Sequence, residues 1–424
     1  MRGKKSKRVK SIIKTGLKVL LVNPHQTDQG GFSNPPLGLL YLASAVRGIA
    51  EVQIVDGYLV GREGIFKKIE EFKPDIAGIT CLTPGRKKAL EIAKYAKEKG
   101  AKTFLGGAHP TIMWRQIYEH YPFVDVIFIG EGEETFRSFA KNFSSIPGRV
   151  CAQPEKLLDL DGIKFPAWDL IDLWAYPGAA PVNFEGINLA EARIPVIFSR
   201  GCTGHCTFCS TWWIWKKYRT RSPKNMVDEI EWLASMGHRH FVFEDDALTI
   251  EIEKTKGMLR ELIRRELGIA FHATTKVEAF DQELACLLRE AGCYEVSIGV
   301  ESGNLKILKS IGKTITPEDS KRVISQAHKA GLKVCALTMV GNPGETKETI
   351  NETIRLLQEC QVDVVGTIGC VWVLPGTRLY YQCVRKGTIS DDFWLGDEEV
   401  FVYQEPQFEL PLWHYHVCAM EEVK

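Results

Sequence analysis

Short apolar runs alternate with amphipathic stretches along the first third of the chain. Five of these runs predict β-strands, and the helical spacing of apolar residues between them predicts α-helices. Strands that alternate with helices in this way are typical of a parallel, doubly wound α/β sheet. The predicted strands cover 18–22, 52–55, 76–80, 103–105 and 124–129, and the predicted helices cover 37–47, 64–72, 86–99, 111–118 and 133–142.

The same alternation returns after residue 193, where six strand and helix steps follow one another. Six steps are about three quarters of an eight-stranded TIM barrel, so the pattern predicts a partial (β/α)6 barrel of the TIM type. The catalytic groups of such barrels lie at the carboxyl ends of the strands. The predicted strands cover 196–198, 241–243, 270–273, 295–300, 333–339 and 364–373.

Composition distinguishes the remaining segments from these two domains. The basic start is expected to be solvated, with contact to anions or a membrane surface as the alternative. The aromatic-rich end is expected to close the open side of the barrel. The chain therefore divides into a basic tail (1–16), a first domain (17–143), a linker rich in Pro, Gly and Trp (144–192), a second domain (193–375) and a C-terminal segment (376–424).

Charge and hydropathy narrow the class of protein. The 424-residue chain is 45% hydrophobic and has a net charge of +1, which argues against a large nucleic-acid interface. No apolar run reaches the length of a transmembrane helix, and no apolar signal-peptide core follows the basic start, so we expect a cytoplasmic protein. The 12 cysteines also suit a reducing compartment better than a disulfide scaffold.

Three of the cysteines form a compact motif, Cys202-x-x-x-Cys206-x-x-Cys209, directly after the first predicted barrel strand. Three close thiolates can bind three irons of a four-iron cluster, and no fourth cysteine is near, so one iron stays open to a non-protein ligand. A structural zinc site normally has four protein ligands, and His205, between two of the cysteines, is poorly placed to be the fourth. The other nine cysteines are scattered, and several that fall in apolar runs are interpreted as small core residues.

The cysteine motif, with Phe208 before its last cysteine, resembles the radical S-adenosylmethionine (SAM) superfamily. The resemblance implies a [4Fe-4S] cluster whose open iron binds SAM, and cleavage of SAM to a 5′-deoxyadenosyl radical that abstracts a hydrogen atom. It also implies SAM contacts in the second domain, where Asp245 is open to either a SAM-facing or a structural role. The matching positions are Glu301 in GVESG, Arg221 in RSP, Asp245 after the second barrel strand, and Gly341 and Gly344 in GNPGET.

The first domain resembles the cobalamin-binding domain that precedes many radical SAM cores, through PPLGLLYLAS, GGAHPT and IGEGEETF in that order. No GxGxxG fingerprint follows the first strand, which disfavours a dinucleotide. The resemblance implies that cobalamin meets the carboxyl ends of the strands, where glycines let the backbone approach a bulky ligand. The expected contacts are Asn23, Gly106, Gly107, His109, Gly130 and Glu131.

The first domain departs from many of its relatives in one motif. The sequence Asp-x-His-x-x-Gly, whose histidine ligates cobalt, is absent, and His25 and Asp28 occupy the first loop in a different arrangement. We therefore expect cobalamin to bind without a histidine ligand from that motif. His109 is interpreted as a hydrogen-bonding residue near the corrin.

A cluster of tryptophans follows the cysteine motif. Trp212, Trp213 and Trp215 lie within four residues of one another. We expect them to pack at the interface between the domains and to keep water away from the cluster.

These resemblances together imply a cobalamin-dependent radical SAM enzyme, with a [4Fe-4S] cluster, SAM and cobalamin as cofactors. The predicted reaction is methylation of an unactivated carbon of a small-molecule, lipid or peptide substrate, with electrons from a carrier such as flavodoxin or ferredoxin. The main alternative keeps both cofactors and performs cyclisation, ring contraction or oxidation without net methyl transfer. A tRNA methylthiotransferase would want a second cysteine trio and a basic RNA-binding module, and a non-catalytic cobalamin sensor would not need the cysteine motif.

Overall fold

The computed structural model describes residues 16–24, 34–146, 148–178 and 183–408, and it describes 367–369 by their backbone alone. The first loop with His25 and Asp28, nearly all of the basic tail, and the last aromatic residues from Trp413 onwards lie outside the described residues.

The first domain contains the parallel doubly wound sheet that the sequence predicts. The strand order is β2-β1-β3-β4-β5-β6, so the chain reverses its direction of winding between β1 and β3. Ligands of such sheets bind at this reversal, outside the carboxyl ends of the strands. The elements are β1 Lys18–Asn23, α1 Leu37–Ala45, β2 Glu51–Asp56, α2 Gly57–Phe72, β3 Ile76–Thr80, α3 Arg86–Glu98, β4 Lys102–Gly106, α4 Ala108–His120, β5 Val126–Phe128, α5 Glu133–Lys141 and β6 Val150–Ala152.

The continuous apolar character of β1 follows from burial on both faces of this sheet. Leu20 packs into the core beneath α2, α3 and α4, whereas Leu21 packs into the separate core beneath α1 and α5. Strand β6 was not predicted, and it pairs with β5 in parallel. Residues 150–152 therefore belong to the first sheet and not to the predicted linker (144–192).

The segment between the two domains is largely irregular but well anchored. Short 3-10 turns occupy Leu160–Gly162, Trp168–Leu170 and Leu173–Ala175, and a small hairpin pairs β7 Asn183–Phe184 with β8 Ile187–Asn188. Trp168 is fully buried, and its indole N–H donates to Glu229 of the second domain at 3.0 Å. This contact fixes the segment against the barrel.

The second domain has six parallel barrel strands in the order β16-β15-β14-β13-β12-β9, which confirms the predicted partial barrel. Its helices begin at clear caps: Ser222 caps α7, and Thr316 and Thr346 form capping boxes at α11 and α12. The elements are β9 Ile194–Val196, β10 Ser199–Arg200, α6 Thr211–Trp215, β11 Arg219–Thr220, α7 Pro223–Ser235, β12 His240–Phe243, α8 Ile252–Arg265, β13 Ala270–Thr275, α9 Gln282–Glu290, β14 Cys293–Glu301, α10 Leu305–Ser310, α11 Pro317–Lys329, β15 Lys333–Val340, α12 Lys347–Glu359, β16 Val364–Cys370 and α13 Arg378–Arg385.

Residues 391–408 form a C-terminal strap that touches both domains. Its first part is held by Arg86 of α3, a fully buried side chain that donates to the carbonyls of Trp394, Gly396, Glu398 and Glu399. Its second part extends the barrel edge, because the N–H of Tyr403 donates to Val371 at 2.9 Å. The strap therefore fastens the first domain to the barrel.

Two general features of the described residues bear on the class of protein. None of their helices is long and apolar enough to cross a lipid bilayer. All cysteines among them are free thiols, as the absence of a disulfide framework in the sequence predicts.

Candidate active site

The cysteine motif lies on a loop, residues 201–218, that connects β10 to β11, and these two strands pair with each other at the carboxyl end of the first barrel strand. We refer to it as the cluster loop. The N–H of Thr207 donates to Ile311 at 2.9 Å, and the N–H of Cys209 donates to Cys206 at 3.2 Å. The loop is thus held both by itself and by the turn that follows α10.

Gly204 lies beside two of the thiols. A side chain at Gly204 would begin 3.4 Å from the sulfur of Cys202 and 3.8 Å from that of Cys206. His205 is exposed at the tip of the loop, which disfavours it as the fourth ligand of a closed zinc site. No three metal-binding side chains of the described residues converge on a single-ion site. A cubane does not require such convergence, because each thiolate binds a different iron.

Glu301 ends β14 in a conformation that is rare for a residue with a side chain. Its φ is +63°, and the register between β14 and β15 shifts between Gly299 and Glu301. Positive φ values and strand irregularities concentrate at functional sites, where they aim a side chain. The Oε1 atom of Glu301 lies 3.0 Å from Nζ of Lys313, while its Oε2 is buried without any hydrogen-bond partner. A buried carboxylate oxygen without a donor is a place for a hydroxyl or amino group of a ligand.

Lys313 connects this carboxylate to the cluster loop. Burial works against its charged form, but Glu301 and then Cys206 outweigh burial and raise the pKa of Lys313. Burial raises the pKa of the Cys206 thiol to about 11, with the charge of Lys313 acting in the opposite direction. Because a thiol must lose its proton to bind iron, a fixed cation beside Cys206 favours the ligating form.

The GNPGET turn carries two further buried polar groups that the sequence-based site left out. Oε2 of Glu345 accepts from the N–H of Gly341 at 2.6 Å and from that of Asn342 at 3.0 Å. Oε1 of Glu345 and Oδ1 of Asn342 are buried without partners. The predicted residues Gly341 and Gly344 both have positive φ, at +95° and +83°. An acidic residue directly after a Gly-Asn-Pro-Gly turn was the available sequence signal.

The carboxylate of Asp245 is engaged within the protein, which favours the structural one of its two expected roles. Its carboxylate accepts from the N–H and hydroxyl of Ser199, both at 2.5 Å, and from the N–H of Phe198 at 3.2 Å. Burial raises its pKa to about 7 against these hydrogen bonds. Asp245 thus fixes the strand that leads into the cluster loop.

Arg221, which the resemblance places near SAM, has its guanidinium in a buried ion pair. Its Nη1 lies 2.5 Å from Glu229, and the two side chains are 4% and 1% exposed. The remaining nitrogens donate to Asn225. Its donors are thus used within the protein, and a contact between Arg221 and SAM stays a prediction.

The carboxyl ends of β3, β4 and β5 in the first domain border a cavity of about 300 Å³. Glycines line its edge, and aromatic rings of Phe104, Phe128 and Phe136 form apolar walls. The second domain contributes to the same cavity through Ile197, Arg200, Ile214 and Trp215. The predicted residues Gly106, Gly107, Gly130 and Glu131 line it.

The glycines of this cavity are required by the backbone. A side chain at Gly107 would begin 2.8 Å from the carbonyl oxygen of Cys81, and its φ is +108°. Gly130 also has a positive φ, +76°. An apolar cavity with a backbone edge fits a flat heterocyclic group such as part of a cobalamin.

Two of the predicted cobalamin contacts, Asn23 and His109, do not line this cavity, and Glu131 lines it with its carboxylate already engaged. Asn23 donates to Asp56 at 2.9 Å and does not line the cavity. His109 is buried between Thr83, whose hydroxyl lies 3.2 Å from Nδ1, and the ring of Trp394. Burial lowers the pKa of His109 to about 3. Glu131 lines the cavity, but its carboxylate is occupied by Arg200 and Arg219 of the second domain.

The tryptophans after the cysteine motif lie at the interface between the domains. Trp213 and Ile112 of α4 both lie beside Gly376. A side chain on that glycine would begin 3.2 Å from Trp213 and 2.8 Å from Ile112. Trp212 packs against Trp213 in a tilted arrangement, with 4.8 Å between ring centroids. Trp215 lines the cavity. Packing between domains, one of the two expected roles, is therefore observed for α6.

Comparison with known protein families assigns both domains. The radical SAM superfamily model matches residues 196–357, and the B12 binding domain model matches residues 28–140. An uncharacterised methyltransferase of Pyrococcus horikoshii is 31% identical over 405 residues, which cover 89% of this chain and 85% of the relative. The chain belongs to the cobalamin-binding radical SAM family. It is a radical SAM enzyme with a [4Fe-4S] cluster, SAM and cobalamin as cofactors.

One further curated relative and one solved structure are also similar to this cobalamin-binding radical SAM enzyme. An anaerobic magnesium-protoporphyrin IX monomethyl ester cyclase of Rubrivivax gelatinosus is 31% identical over 432 residues, 93% of this chain and 73% of the relative. The radical SAM methyltransferase TsrM of Kitasatospora setae, solved with cobalamin and a [4Fe-4S] cluster, superposes with a TM-score of 0.68 at 21% identity. The superposition covers 88% of this chain and 75% of TsrM, and it shows a shared fold.

Proposed function

We propose that this enzyme methylates an unactivated carbon of its substrate with a methyl group derived from SAM. The observation that carries the proposal is the cavity shared by the two domains. Ile197, Arg200 and Trp215 of the radical SAM domain form one side of this cavity, to which we assign cobalamin and which we call the cobalamin cavity. This arrangement supports neighbouring cofactor sites, which direct transfer of a methyl group to a substrate radical requires.

We assign the iron ligands to Cys202, Cys206 and Cys209, and a SAM contact to Glu301. The unpartnered Oε2 of Glu301 and the unpartnered Oε1 of Glu345 supply acceptors for the hydroxyl and amino groups of SAM. When bound, the cluster and SAM supply radical chemistry, and cobalamin supplies methyl-transfer chemistry. The residues of this chain bind and orient these groups, and the interface around α6 limits the access of water.

The curated relatives support methyl transfer and also define the competing function. The Pyrococcus horikoshii relative is named as a methyltransferase, whereas the Rubrivivax gelatinosus relative, at the same 31% identity, is named as a cyclase. The second candidate is therefore ring formation or oxidation with the same cofactors and no net methyl transfer.

Anaerobic turnover with SAM labelled in its methyl group tests the proposal. Methyl transfer predicts that label enters the product and that S-adenosylhomocysteine and 5′-deoxyadenosine form together, so that two SAM molecules are consumed for each methylation. Formation of 5′-deoxyadenosine with the true substrate but without S-adenosylhomocysteine would replace methyl transfer by the cyclase or oxidase function.

The reaction needs a reductant, because radical SAM chemistry begins with one-electron reduction of the cluster. We propose a small electron carrier such as flavodoxin or ferredoxin as the donor. The free thiols among the described residues suit the reducing cytoplasm, which is the location we propose. Addition of reduced flavodoxin in place of a chemical reductant tests the partner, and failure of both carriers to support SAM cleavage would exclude it.

A further inference from the structure

Two arginines face each other at the base of the cluster loop. Strands β10 and β11 pair in antiparallel fashion, with Arg200 directly opposite Arg219. The cluster loop leaves and returns through this pair. Like charges at directly opposed positions of two strands repel each other, so the base of the loop needs a neighbouring anion.

A carboxylate of the cobalamin domain provides that anion. Glu131 accepts from both arginines: its Oε2 lies 2.8 Å from Nη1 of Arg200, and its Oε1 accepts from Nη2 of Arg219. Glu133 accepts from the other terminal nitrogen of Arg200 at 2.6 Å. The four side chains are between 4% and 13% exposed, so solvent screens these charges weakly.

The same side chains form a wall of the cobalamin cavity. Glu131, Glu133 and Arg200 all line it. The guanidinium of Arg200 lies between the rings of Tyr41 and Trp215, at 5.2 and 5.3 Å from their centroids. An occupant of the cavity therefore lies against the groups that hold the base of the cluster loop.

We propose that Glu131 is a positioning residue that couples the two cofactor sites. Cobalamin in the cavity holds the carboxylate of Glu131 in place. Glu131, through its ion pairs with Arg200 and Arg219, then holds the cluster loop in the conformation that binds SAM. The inference rests on the cofactors of the family and is independent of the fate of the methyl group. Because coupling between two binding sites is reciprocal, cobalamin tightens SAM binding by the same factor by which SAM tightens cobalamin binding.

Equilibrium dialysis of SAM against the cluster-loaded protein, with and without saturating hydroxocobalamin, measures this coupling. For the native chain we expect the Kd of SAM to be at least ~5-fold lower with cobalamin, at the lower limit of usual allosteric factors. Glu131→Gln keeps the shape of the side chain and removes its charge. We define the coupling factor as the ratio of the Kd of SAM without cobalamin to that with cobalamin. The substitution should bring this factor close to one at unchanged iron content.

A matched control separates this role from a general loss of stability. Glu229→Gln removes an equally buried carboxylate from Arg221, outside the cobalamin cavity, and should preserve the coupling factor. If Glu131→Gln does not fold, Arg219→Gln takes its place, since it releases one end of the loop base and leaves the contacts of Arg200 intact. It should reduce the factor.

Two results would overturn the proposal. One is the absence of coupling in the native chain, and the other is the full native factor in Glu131→Gln or, where that variant does not fold, in Arg219→Gln. Intact coupling in an enzyme that transfers no methyl group would contradict the proposed function alone, so the two failures are distinguishable.

Discussion

The carboxylate of Glu301 lies 3.0 Å from the ammonium of Lys313, and both side chains are only 6% exposed. Lys313 in turn acts electrostatically on Cys206. One buried ion pair thus connects the residue assigned to SAM with a residue assigned to the cluster.

Substitution of Glu301 should therefore weaken SAM binding directly. Glu301→Gln loses a charge-assisted hydrogen bond of about 1.5–3 kcal/mol, which corresponds to a rise of roughly 10- to 150-fold in the Kd of SAM. Equilibrium binding to the cluster-loaded protein measures it. Glu295→Gln, at the opposite end of the same strand, is the control and should leave the Kd unchanged. An unaltered Kd in Glu301→Gln would remove this residue from the SAM site.

The three cysteines of the cluster loop should account for the iron. Anaerobic reconstitution of the native chain should yield one four-iron cluster, and Cys202→Ala should abolish SAM cleavage. Iron analysis of the triple alanine variant at positions 202, 206 and 209 tests the assignment. Cys360→Ala, a free thiol at the end of α12, should retain native iron content. Full cluster loading of the triple variant would contradict the assignment.

His109 should not ligate cobalt. It is 2% exposed and hydrogen-bonded to Thr83, and burial lowers its pKa to about 3, so it stays neutral and enclosed. The electron paramagnetic resonance spectrum of the cob(II)alamin form should lack nitrogen superhyperfine splitting from a protein histidine. His109→Gln should give the same spectrum. Splitting in the native protein that disappears in the variant would show a histidine ligand.

The buried carboxyl of Glu345 should make stability depend on pH. Burial raises its pKa to about 7 from an ordinary 4.5. The folded state therefore binds more protons than the unfolded state between pH 4.5 and 7, and it loses stability as the pH rises through this window. Glu345→Gln removes the effect. The free energy of unfolding of the variant, relative to that of the native chain, should therefore rise by about 2–3 kcal/mol from pH 5 to pH 8. Chemical denaturation of both SAM-free proteins measures this difference. A difference that falls as the pH rises would refute the prediction.

Arg86 should be essential for attachment of the C-terminal strap. Lysine has too few donors for the carbonyls that Arg86 satisfies, and each buried carbonyl left without a donor costs about 1–3 kcal/mol. Arg86→Lys should lower the free energy of unfolding by roughly 3 kcal/mol or more and speed proteolysis within 391–408. Arg62→Met, which removes an exposed arginine of α2 paired with Glu91, should change neither. Native resistance to protease in Arg86→Lys would show that the strap is held elsewhere.

The sequence predicted those parts of the fold that apolar periodicity controls. The strands of both sheets lie close to their predicted positions because runs such as that of β1 are buried on both faces. Strand β6 was missed because it contributes only three residues, Val150–Ala152, within a segment rich in turn-forming residues. Its place is set by pairing with β5 and not by its own pattern.

The site was predictable where its chemistry is local and obscure where it depends on distant partners. The cluster loop was evident from the spacing of three cysteines within eight residues. The ion pair of Arg221 was not predicted because its partner Glu229 lies on the buried face of α7, which periodicity alone does not reveal. The ion pairs of Glu131 join residues 69 and 88 positions apart, so they exist only once the two domains meet.

The C-terminal strap has a consequence for the order of biogenesis. Residues 391–408 follow both sheets along the chain, and domains fold as units from the N-terminal side during synthesis. The two halves are therefore complete before Arg86 receives its carbonyl partners, and until then nothing in the strap holds them together. During this interval the domains are joined by direct contacts, such as the ion pairs of Glu131 with Arg200 and Arg219, and the strap adds its hydrogen bonds last.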